Sequence, residues 1–286
     1  MWDNIQISGF ADEIDPDLTT QLEVLSKLNI HAIEMRGVNG RNITDLSLAE
    51  VEKVKMQLEK AHIKLSSVGS PIGKIAITDD FEPHFALYQH TVEIAKILQA
   101  PYLRMFSFFI PQGVDAAPYQ PEVFRRMERF VNYAAQQNVV LMHENEKDIY
   151  GDIAPRCAEI MRAFYGDHLK AVFDFANFVQ TKQDTIEAYE LLRPYIAYIH
   201  IKDAKSADGA VVPAGTGDGN VAELLKRFKF SGYQGFLSLE PHLADFSGFH
   251  ALEKDTVLNR KMTGEESFTL AYHSLQQILD ALPASL

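Results

Sequence analysis

The stretch Val139-Val140-Leu141-Met142-His143-Glu144-Asn145-Glu146 joins a short apolar run to a group of ionisable and amide side chains. An uninterrupted apolar run of this length is typical of a strand in a parallel sheet, where both faces of the strand are covered. The charged residues begin where this strand is expected to end. A strand that is buried along its length and charged at its carboxyl end predicts a functional site at that end.

The same pattern recurs three times further along the chain. The segments are Ala171-Val172-Phe173-Asp174, Tyr198-Ile199-His200-Ile201-Lys202-Asp203 and Phe236-Leu237-Ser238-Leu239-Glu240. If these strands are parallel and belong to a closed barrel, their carboxyl ends meet at one mouth. We therefore expect Glu144, Asp174, His200 and Glu240 to converge.

Strands and helices alternate along the rest of the chain. Four earlier strands are predicted at residues 6–11, 31–35, 64–69 and 102–106, and apolar residues at helical spacing follow each strand. Eight such units within residues 1–286 predict a single-domain α/β fold, the (β/α)₈ TIM barrel. A doubly wound open sheet is the alternative. Its nucleotide-binding versions are disfavoured because no G-x-G-x-x-G follows the first strand and no phosphate-loop motif occurs.

Composition excludes several classes of protein. The chain has 286 residues and a formal net charge of -12, which disfavours a general nucleic-acid or anionic-membrane partner. No apolar stretch is long enough to span a bilayer. The only cysteine, Cys157, lies in a predicted helix, so no internal disulfide forms and we expect a buried, inert thiol. These features predict a cytoplasmic protein.

The four strand-end residues are a ligand set for a metal. Three carboxylates and one imidazole form a mixed nitrogen and oxygen set that suits one divalent ion, Mn²⁺, Co²⁺, Mg²⁺ or Zn²⁺, better than a soft metal. A single charged residue at a strand end is weak support, because the chain is leaving the core there. Four of them in consecutive units favour a metal site.

The order Glu, Asp, His, Glu at the ends of strands five to eight resembles the xylose-isomerase-like barrel superfamily. That superfamily includes sugar phosphate isomerases and epimerases, ketose 3-epimerases, inosose dehydratases and isomerases and dehydroshikimate dehydratases, with endonuclease IV as a distant relative. The resemblance covers nearly the whole chain, including the segments His200-Ile201-Lys202-Asp203 and Leu239-Glu240-Pro241-His242. It implies a divalent metal held by Glu144, Asp174, His200 and Glu240.

Two motifs depart from the family pattern. Many members carry Asp-x-x-His after strand six, where this chain has Asp174-Phe175-Ala176-Asn177. Many carry Glu-Asn-His after strand five, where this chain has Glu144-Asn145-Glu146. The missing histidines count against transferring one particular epimerase activity, and against the multi-zinc site of endonuclease IV.

The predicted site suits proton abstraction next to a carbonyl group. In the isomerisation or epimerisation of a ketose, a metal stabilises the enediolate that forms, and two carboxylates remove and return the proton. Glu144 and Glu240 are the candidates for that catalytic pair. We therefore expect a metal-dependent isomerase or epimerase with a small-molecule carbohydrate substrate. A dehydratase acting on an inosose or dehydroshikimate-like compound is the alternative, and a hydrolase or a catalytically inactive sugar-binding barrel is disfavoured.

Further side chains are candidates for substrate binding. Lys202 shares a strand face with His200, since side chains alternate with a period of two. His242 follows Glu240 by two residues, and Glu34 and Arg104 lie in strands two and four. The alternative for Lys202 is a lysine that reaches solvent, and for Glu34 or Arg104 it is a structural ion pair. His143 should point away from the barrel axis if Glu144 points inward.

Three loops carry weaker signals. The glycines of residues 214–219 resemble a phosphate-binding loop, although simple loop geometry is the preferred interpretation. The aromatic residues of 106–109 are expected to form an apolar wall around the substrate, or to contact a second copy in a homo-oligomer. The segment from Ala244 to Gly264 would serve either purpose.

Overall fold

Eight parallel strands form one sheet that curves into a barrel. The computed structural model describes residues 2, 4–244 and 262–283. The barrel strands are β1 Ile5–Gly9, β2 Ala32–Met35, β3 Lys64–Val68, β4 Leu103–Met105, β5 Leu141–Glu144, β6 Leu169–Asp174, β7 Ile196–Ile201 and β8 Gly235–Leu239. In space the order is β1-β8-β7-β6-β5-β4-β3-β2, and every ladder is parallel.

The joint between β1 and β2 nearly closes the barrel. A single parallel bridge between Phe10 and Glu34 links these two strands beyond the end of β1. The (β/α)₈ prediction is confirmed, and the open-sheet alternative is wrong, because the sheet returns to its own first strand.

Helices cover the outer surface of the sheet. They are α1 Leu18–Lys27, α2 Leu48–Ala61, α3 Phe81–Ile97, α4 Gln120–Gln137, α5 Ala154–Phe164, α6 Phe175–Gln180, α7 Thr185–Leu192, α8 Val221–Phe230 and α9 Gly264–Ala281. The sequence specifies their ends: α2, for example, begins with a capping box in which Ser47 and Glu50 bond each other's backbone N–H groups. Its apolar residues Val51, Val54 and Leu58 are buried. Spacing of this kind turns one face of each helix toward the sheet.

Two elements differ from the sequence-based prediction. Helix α6 follows β6 directly, because the Asp174 carboxylate accepts the Asn177 N–H at 2.7 Å and caps the helix. The glycine-rich segment from residue 214 to 219 was expected to lead into a helix, and α8 begins at Val221, because Gly219 bonds to Asp203 and Asn220 takes a left-handed conformation with φ of 56°. Helix α6 is short and begins directly after Asp174, so it lies next to the predicted site.

The cysteine and the helices agree with two expectations. Cys157 is buried, its Sγ lies 3.1 Å from the Gly151 carbonyl oxygen, and burial raises the pKa of its thiol. Among the residues that the structure describes, no helix has both the length and the apolar character needed to cross a membrane.

Candidate metal centre

The four predicted ligands meet at the carboxyl ends of β5 to β8. Glu144 and Asp174 are the last residues of β5 and β6, His200 lies in β7, and Glu240 directly follows β8. Strand register brings them level, since Asp174 pairs with His200 and Ser238 also pairs with His200. One ligand atom from each residue lies within 4.8 Å of all the others. Every one of the four residues is at most 3% exposed.

Three carboxylate oxygens surround one imidazole nitrogen. His200 Nδ1 lies 2.8 Å from Glu144 Oε1, 3.6 Å from Glu240 Oε2 and 3.9 Å from Asp174 Oδ2. We call these three atoms the inner oxygens. Asp174 Oδ2 and Glu240 Oε2 form no well-aligned hydrogen bond with the described residues, but the Lys202 ammonium lies 3.3 and 3.0 Å from them as an ion-pair partner.

The other oxygen of each carboxylate is held by a neighbouring group. Glu144 Oε2 accepts a hydrogen bond of 3.1 Å from Arg104 Nη1, and Asp174 Oδ1 accepts the capping bond described above. Glu240 Oε1 lies 3.5 Å from Arg36 Nη1 and 3.4 Å from His242 Nε2. The surrounding structure therefore fixes each carboxylate from outside and directs its inner oxygen toward His200 Nδ1.

This geometry fits a divalent cation. Two bonds of about 2.0–2.4 Å to one metal allow ligand atoms to lie up to about 4.8 Å apart. The observed limit of 4.8 Å meets that requirement for the whole set. The cluster is compatible with a divalent metal, and its hard oxygen and imidazole ligands suit Mn²⁺, Co²⁺, Mg²⁺ or Zn²⁺.

Glu34 contacts the opposite side of the His200 ring. His200 Nε2 lies 3.1 Å from Glu34 Oε2, which also accepts a hydrogen bond of 2.7 Å from Ser238 Oγ. The Phe10 ring packs edge-on against the imidazole, with the ring centroids 5.3 Å apart. An Nε2–H that donates to Glu34 leaves the Nδ1 lone pair for a metal. The role of Glu34 in substrate binding stays a prediction, and the structure shows that its carboxylate contacts the His200 ring.

Lys202 extends into the cluster, as predicted from its shared face with His200. Its ammonium lies 3.0 Å from Glu240 Oε2 and 3.3 Å from Asp174 Oδ2. Burial alone would raise the pKa of Glu240, but the charges of Lys202 and His242 outweigh it and hold this pKa well below its ordinary value. Burial raises the pKa of Asp174 to about 7 despite the lysine. Glu240 is therefore the more firmly ionised of the two.

His242 and Arg36 form an ion-pair network behind Glu240. The Arg36 guanidinium donates to Asp12 Oδ2 at 2.8 Å and to Glu13 Oε1 at 3.2 Å. The His242 backbone N–H donates to Glu13 Oε2 at 2.7 Å. Burial alone would lower the pKa of His242, but Glu13 and Glu240 raise it to about 9. Asp12 and Glu13 lie in the turn after β1, and no spacing in the sequence links them to Glu240.

A second pair missed by sequence reasoning joins Lys74 to Glu146. Lys74 Nζ donates to Glu146 Oε2 at 2.8 Å and lies 4.3 Å from the centre of the Phe106 ring. Burial alone would raise the pKa of Glu146, but the charges of Lys74 and Lys202 lower it. Glu146 stands where many family members carry histidine, so this position carries an ionised, paired carboxylate in this chain.

Two asparagines fix the ends of β5 and β6. Asn145 exchanges two hydrogen bonds of 3.0 Å with the backbone of Asp174. Asn177 donates from Nδ2 to the Asn145 carbonyl oxygen at 2.9 Å, and this nitrogen lies 3.5 Å from Glu144 Oε1. Asn177 therefore supports the ligand set from the position where many family members carry a second histidine.

The remaining predictions concern His143 and the loops. His143 faces away from the cluster, as expected, and lies 2.9 Å from Ser107 Oγ.

The glycine-rich segment binds an internal anion, because Gly215, Gly217 and Gly219 donate to the Asp203 carboxylate at 2.9 Å each. This confirms the loop interpretation over a phosphate site. Phe106 is fully buried beside Arg104, with the guanidinium 5.0 Å from the ring centre. Residues 245–261 of the last predicted loop lie outside the described residues.

The barrel and its buried cluster define a class of proteins, the α/β barrels with a carboxylate and imidazole cluster at the carboxyl ends of the strands. The family model for the Xylose isomerase-like TIM barrel matches residues 22–261, and the chain belongs to that family. The resemblance inferred from the sequence is thereby confirmed.

The proteins that this chain resembles include both a dehydratase and an epimerase-like protein. A 3-dehydroshikimate dehydratase of Bacillus anthracis is 20% identical over 176 residues, which is 62% of this chain and 62% of that enzyme. The match thus spans less than two thirds of that relative's length. The crystal structure of a D-tagatose 3-epimerase-like protein superposes with a TM-score of 0.73 and 17% identity, covering 96% of this chain and 97% of that one. The IolI protein with a binding zinc atom superposes with a TM-score of 0.74 and 15% identity, covering 98% and 99% of the two chains.

Proposed function

We propose that the protein is a divalent-metal-dependent isomerase or epimerase of a sugar or a sugar-like keto compound. The observation that carries this proposal is the pair Glu144 and Glu240, whose inner oxygens lie 2.8 and 3.6 Å from His200 Nδ1. Strand β8 lies on one side of β7, and β5 lies on the other. Two carboxylates that flank one ligand centre from different sides suit the removal and return of a proton.

Each residue has a distinct task in the proposed reaction. The cation, when bound by Glu144, Asp174, His200 and Glu240, would act as a Lewis acid on a carbonyl group of the substrate. Glu240 is ionised, because its pKa is held well below its ordinary value, and it would accept the proton from carbon. Glu144, held by Arg104, would enter the reaction in its protonated form and deliver that proton at the opposite side, and exchange with solvent would then restore both carboxyl groups. Lys202 and His242 would donate hydrogen bonds to substrate oxygens.

A dehydratase is the second candidate, favoured by the similarity to the 3-dehydroshikimate dehydratase. Dehydration begins with the same abstraction of a proton next to a carbonyl and then expels a β-hydroxyl group. The same residues would serve both reactions up to that step.

The metal we propose is Mn²⁺, which suits an oxygen-rich set with one imidazole. A reducing, cytoplasmic location agrees with the single buried cysteine.

Solvent deuterium distinguishes the two reactions. The purified protein, loaded with Mn²⁺, would be incubated in deuterium oxide with a panel of ketoses, keto-cyclitols and 3-dehydroshikimate. An isomerase or epimerase is expected to return an isomer of the substrate that carries deuterium on carbon, detected by NMR. A dehydratase would yield an unsaturated product absorbing in the ultraviolet. No turnover of any substrate with bound metal would count against both.

The acid–base pair is tested by Glu144→Gln and Glu240→Gln. Each substitution removes the charge and the proton-accepting oxygen while keeping the side-chain shape, so we expect turnover to fall by about 10³-fold or more. Glu52→Gln, at an exposed position in α2, is the matched control and should keep full activity. Full activity in either site variant would remove that residue from the acid–base role.

A further inference from the structure

The Lys202 ammonium contacts two of the oxygens that a bound cation would use, Asp174 Oδ2 and Glu240 Oε2. It lies 3.0 Å from Glu240 Oε2 and 3.3 Å from Asp174 Oδ2. Both atoms are inner oxygens, and they also lie 3.6 and 3.9 Å from His200 Nδ1. The lysine side chain is 2% exposed, so this contact is shielded from water. Two positive charges held at the same oxygens in such surroundings repel each other strongly.

We propose that Lys202 competes with the divalent cation for the inner oxygens of Asp174 and Glu240 and thereby sets the affinity of the site for metal. The inference rests on the proposed metal-dependent function. In this view the four ligands alone would bind a cation more tightly than the wild-type protein does. Binding of a cation moves the ammonium away from these two oxygens, and substrate oxygens then become its partners.

Arg36 and Arg104 contact two of the ligand carboxylates at their other oxygens, those that do not face His200 Nδ1. Arg36 Nη1 lies 3.5 Å from Glu240 Oε1, and Arg104 Nη1 lies 3.1 Å from Glu144 Oε2. These contacts are compatible with a cation at the inner oxygens. The Lys202 contacts, in contrast, are with inner oxygens.

The test is the affinity for Mn²⁺ alone, measured by isothermal titration calorimetry and by the electron paramagnetic resonance signal of free Mn²⁺. Lys202→Met removes the charge and keeps the length of the side chain, so we expect it to bind Mn²⁺ about tenfold more tightly than wild type, or better. Lys202→Gln should change affinity in the same direction. Lys202→Arg keeps the charge and should not tighten binding. Lys53→Met, at an exposed position of α2, is the matched control.

A purely structural role for Lys202 predicts a different result. Without metal, both views expect Lys202→Met to lower the free energy of unfolding, because two buried carboxylates lose a partner. Only competition predicts that the less stable variant binds Mn²⁺ more tightly. Equal or weaker binding by both Lys202→Met and Lys202→Gln would overturn the inference while wild-type Mn²⁺ binding leaves the proposed function intact. Absence of Mn²⁺ binding in every variant would overturn both.

Discussion

Glu34 shows how one residue behind a ligand can determine what that ligand binds. Its Oε2 lies 3.1 Å from His200 Nε2 and accepts a hydrogen bond of 2.7 Å from Ser238 Oγ. Burial alone would raise the pKa of Glu34, but His200 outweighs it and keeps this carboxyl group ionised. An ionised acceptor at Nε2 fixes the orientation of the ring and keeps a proton on Nε2, so that Nδ1 is the atom offered to a metal.

We predict that Glu34→Gln weakens Mn²⁺ binding by about 10–100-fold, the range typical when a partner of a metal-ligating histidine is lost. The glutamine keeps the shape of the side chain but loses the charge that fixes the tautomer. Titration calorimetry measures the effect, with Glu52→Gln as the exposed control. Unchanged affinity in Glu34→Gln would instead favour the original prediction that Glu34 binds substrate.

At the scale of elements, Asp203 organises the loop that leads into α8. Oδ2 accepts the N–H groups of Gly215 and Gly217, and Oδ1 accepts those of Gly219 and Ala204, all at 2.9 Å. Four backbone donors on one buried carboxylate explain why the glycine-rich segment is not free to bind phosphate. They also leave no room for a side chain, since a Cβ on Gly217 would lie 2.3 Å from Asp203 Oδ1.

We predict that Asp203→Asn lowers the free energy of unfolding by about 2–3 kcal/mol. Either orientation of the asparagine amide would place its NH₂ group against two backbone N–H donors. Urea unfolding measures the loss. Asp208→Asn is the matched control, because Asp208 is exposed and accepts only the Ala210 N–H at 3.0 Å, so a change below about 0.5 kcal/mol is expected. Equal losses in both variants would show that burial of the Asp203 carboxylate is unimportant.

The same scale shows what the sequence could predict about individual elements. Every barrel strand was located from the regular alternation of strand and helix patterns, although β1 and β3 contain polar residues and are not uninterrupted apolar runs. Helix α6 was missed although its signal was present: Asp174 and Asn177 have the spacing of an N-cap and its third helical residue. The residue was interpreted only as a ligand, while the structure shows that one oxygen caps the helix and the other faces His200 Nδ1.

At the scale of the whole molecule, the ligands were predictable and their supports were not. Glu144, Asp174, His200 and Glu240 follow from one rule, that parallel strands bring their carboxyl ends to one edge. Contacts such as Lys74 with Glu146 depend on loop paths that no periodic pattern encodes, since the two residues are 72 positions apart. The Arg36 network behind Glu240 depends equally on closure of the barrel between β1 and β2.

One histidine outside the site couples the stability of the whole molecule to pH. His84, in α3, accepts the Gly73 N–H at Nε2 with a distance of 2.7 Å and so holds the loop that carries Lys74. Burial, together with the charge of Arg126, lowers the pKa of His84 to about 4. Above its ordinary pKa of 6.5 the ring is neutral in both the folded and the unfolded chain. As the pH falls below that value, only the unfolded chain takes up the proton, so the folded state loses stability until the pH reaches about 4.

We predict that His84→Gln removes this loss, because glutamine can still accept the Gly73 N–H and does not titrate. Urea unfolding of both proteins at about pH 7.5 and about pH 5, without metal, should show wild type losing up to about 2 kcal/mol more than the variant between the two conditions. Because His84 takes up the proton only when the chain unfolds, its protonation lowers the free energy of unfolding of the whole molecule. His31→Gln, at an exposed position, should keep the wild-type pH dependence. Parallel losses in wild type and His84→Gln would mean that the His84 ring already binds a proton in the folded protein.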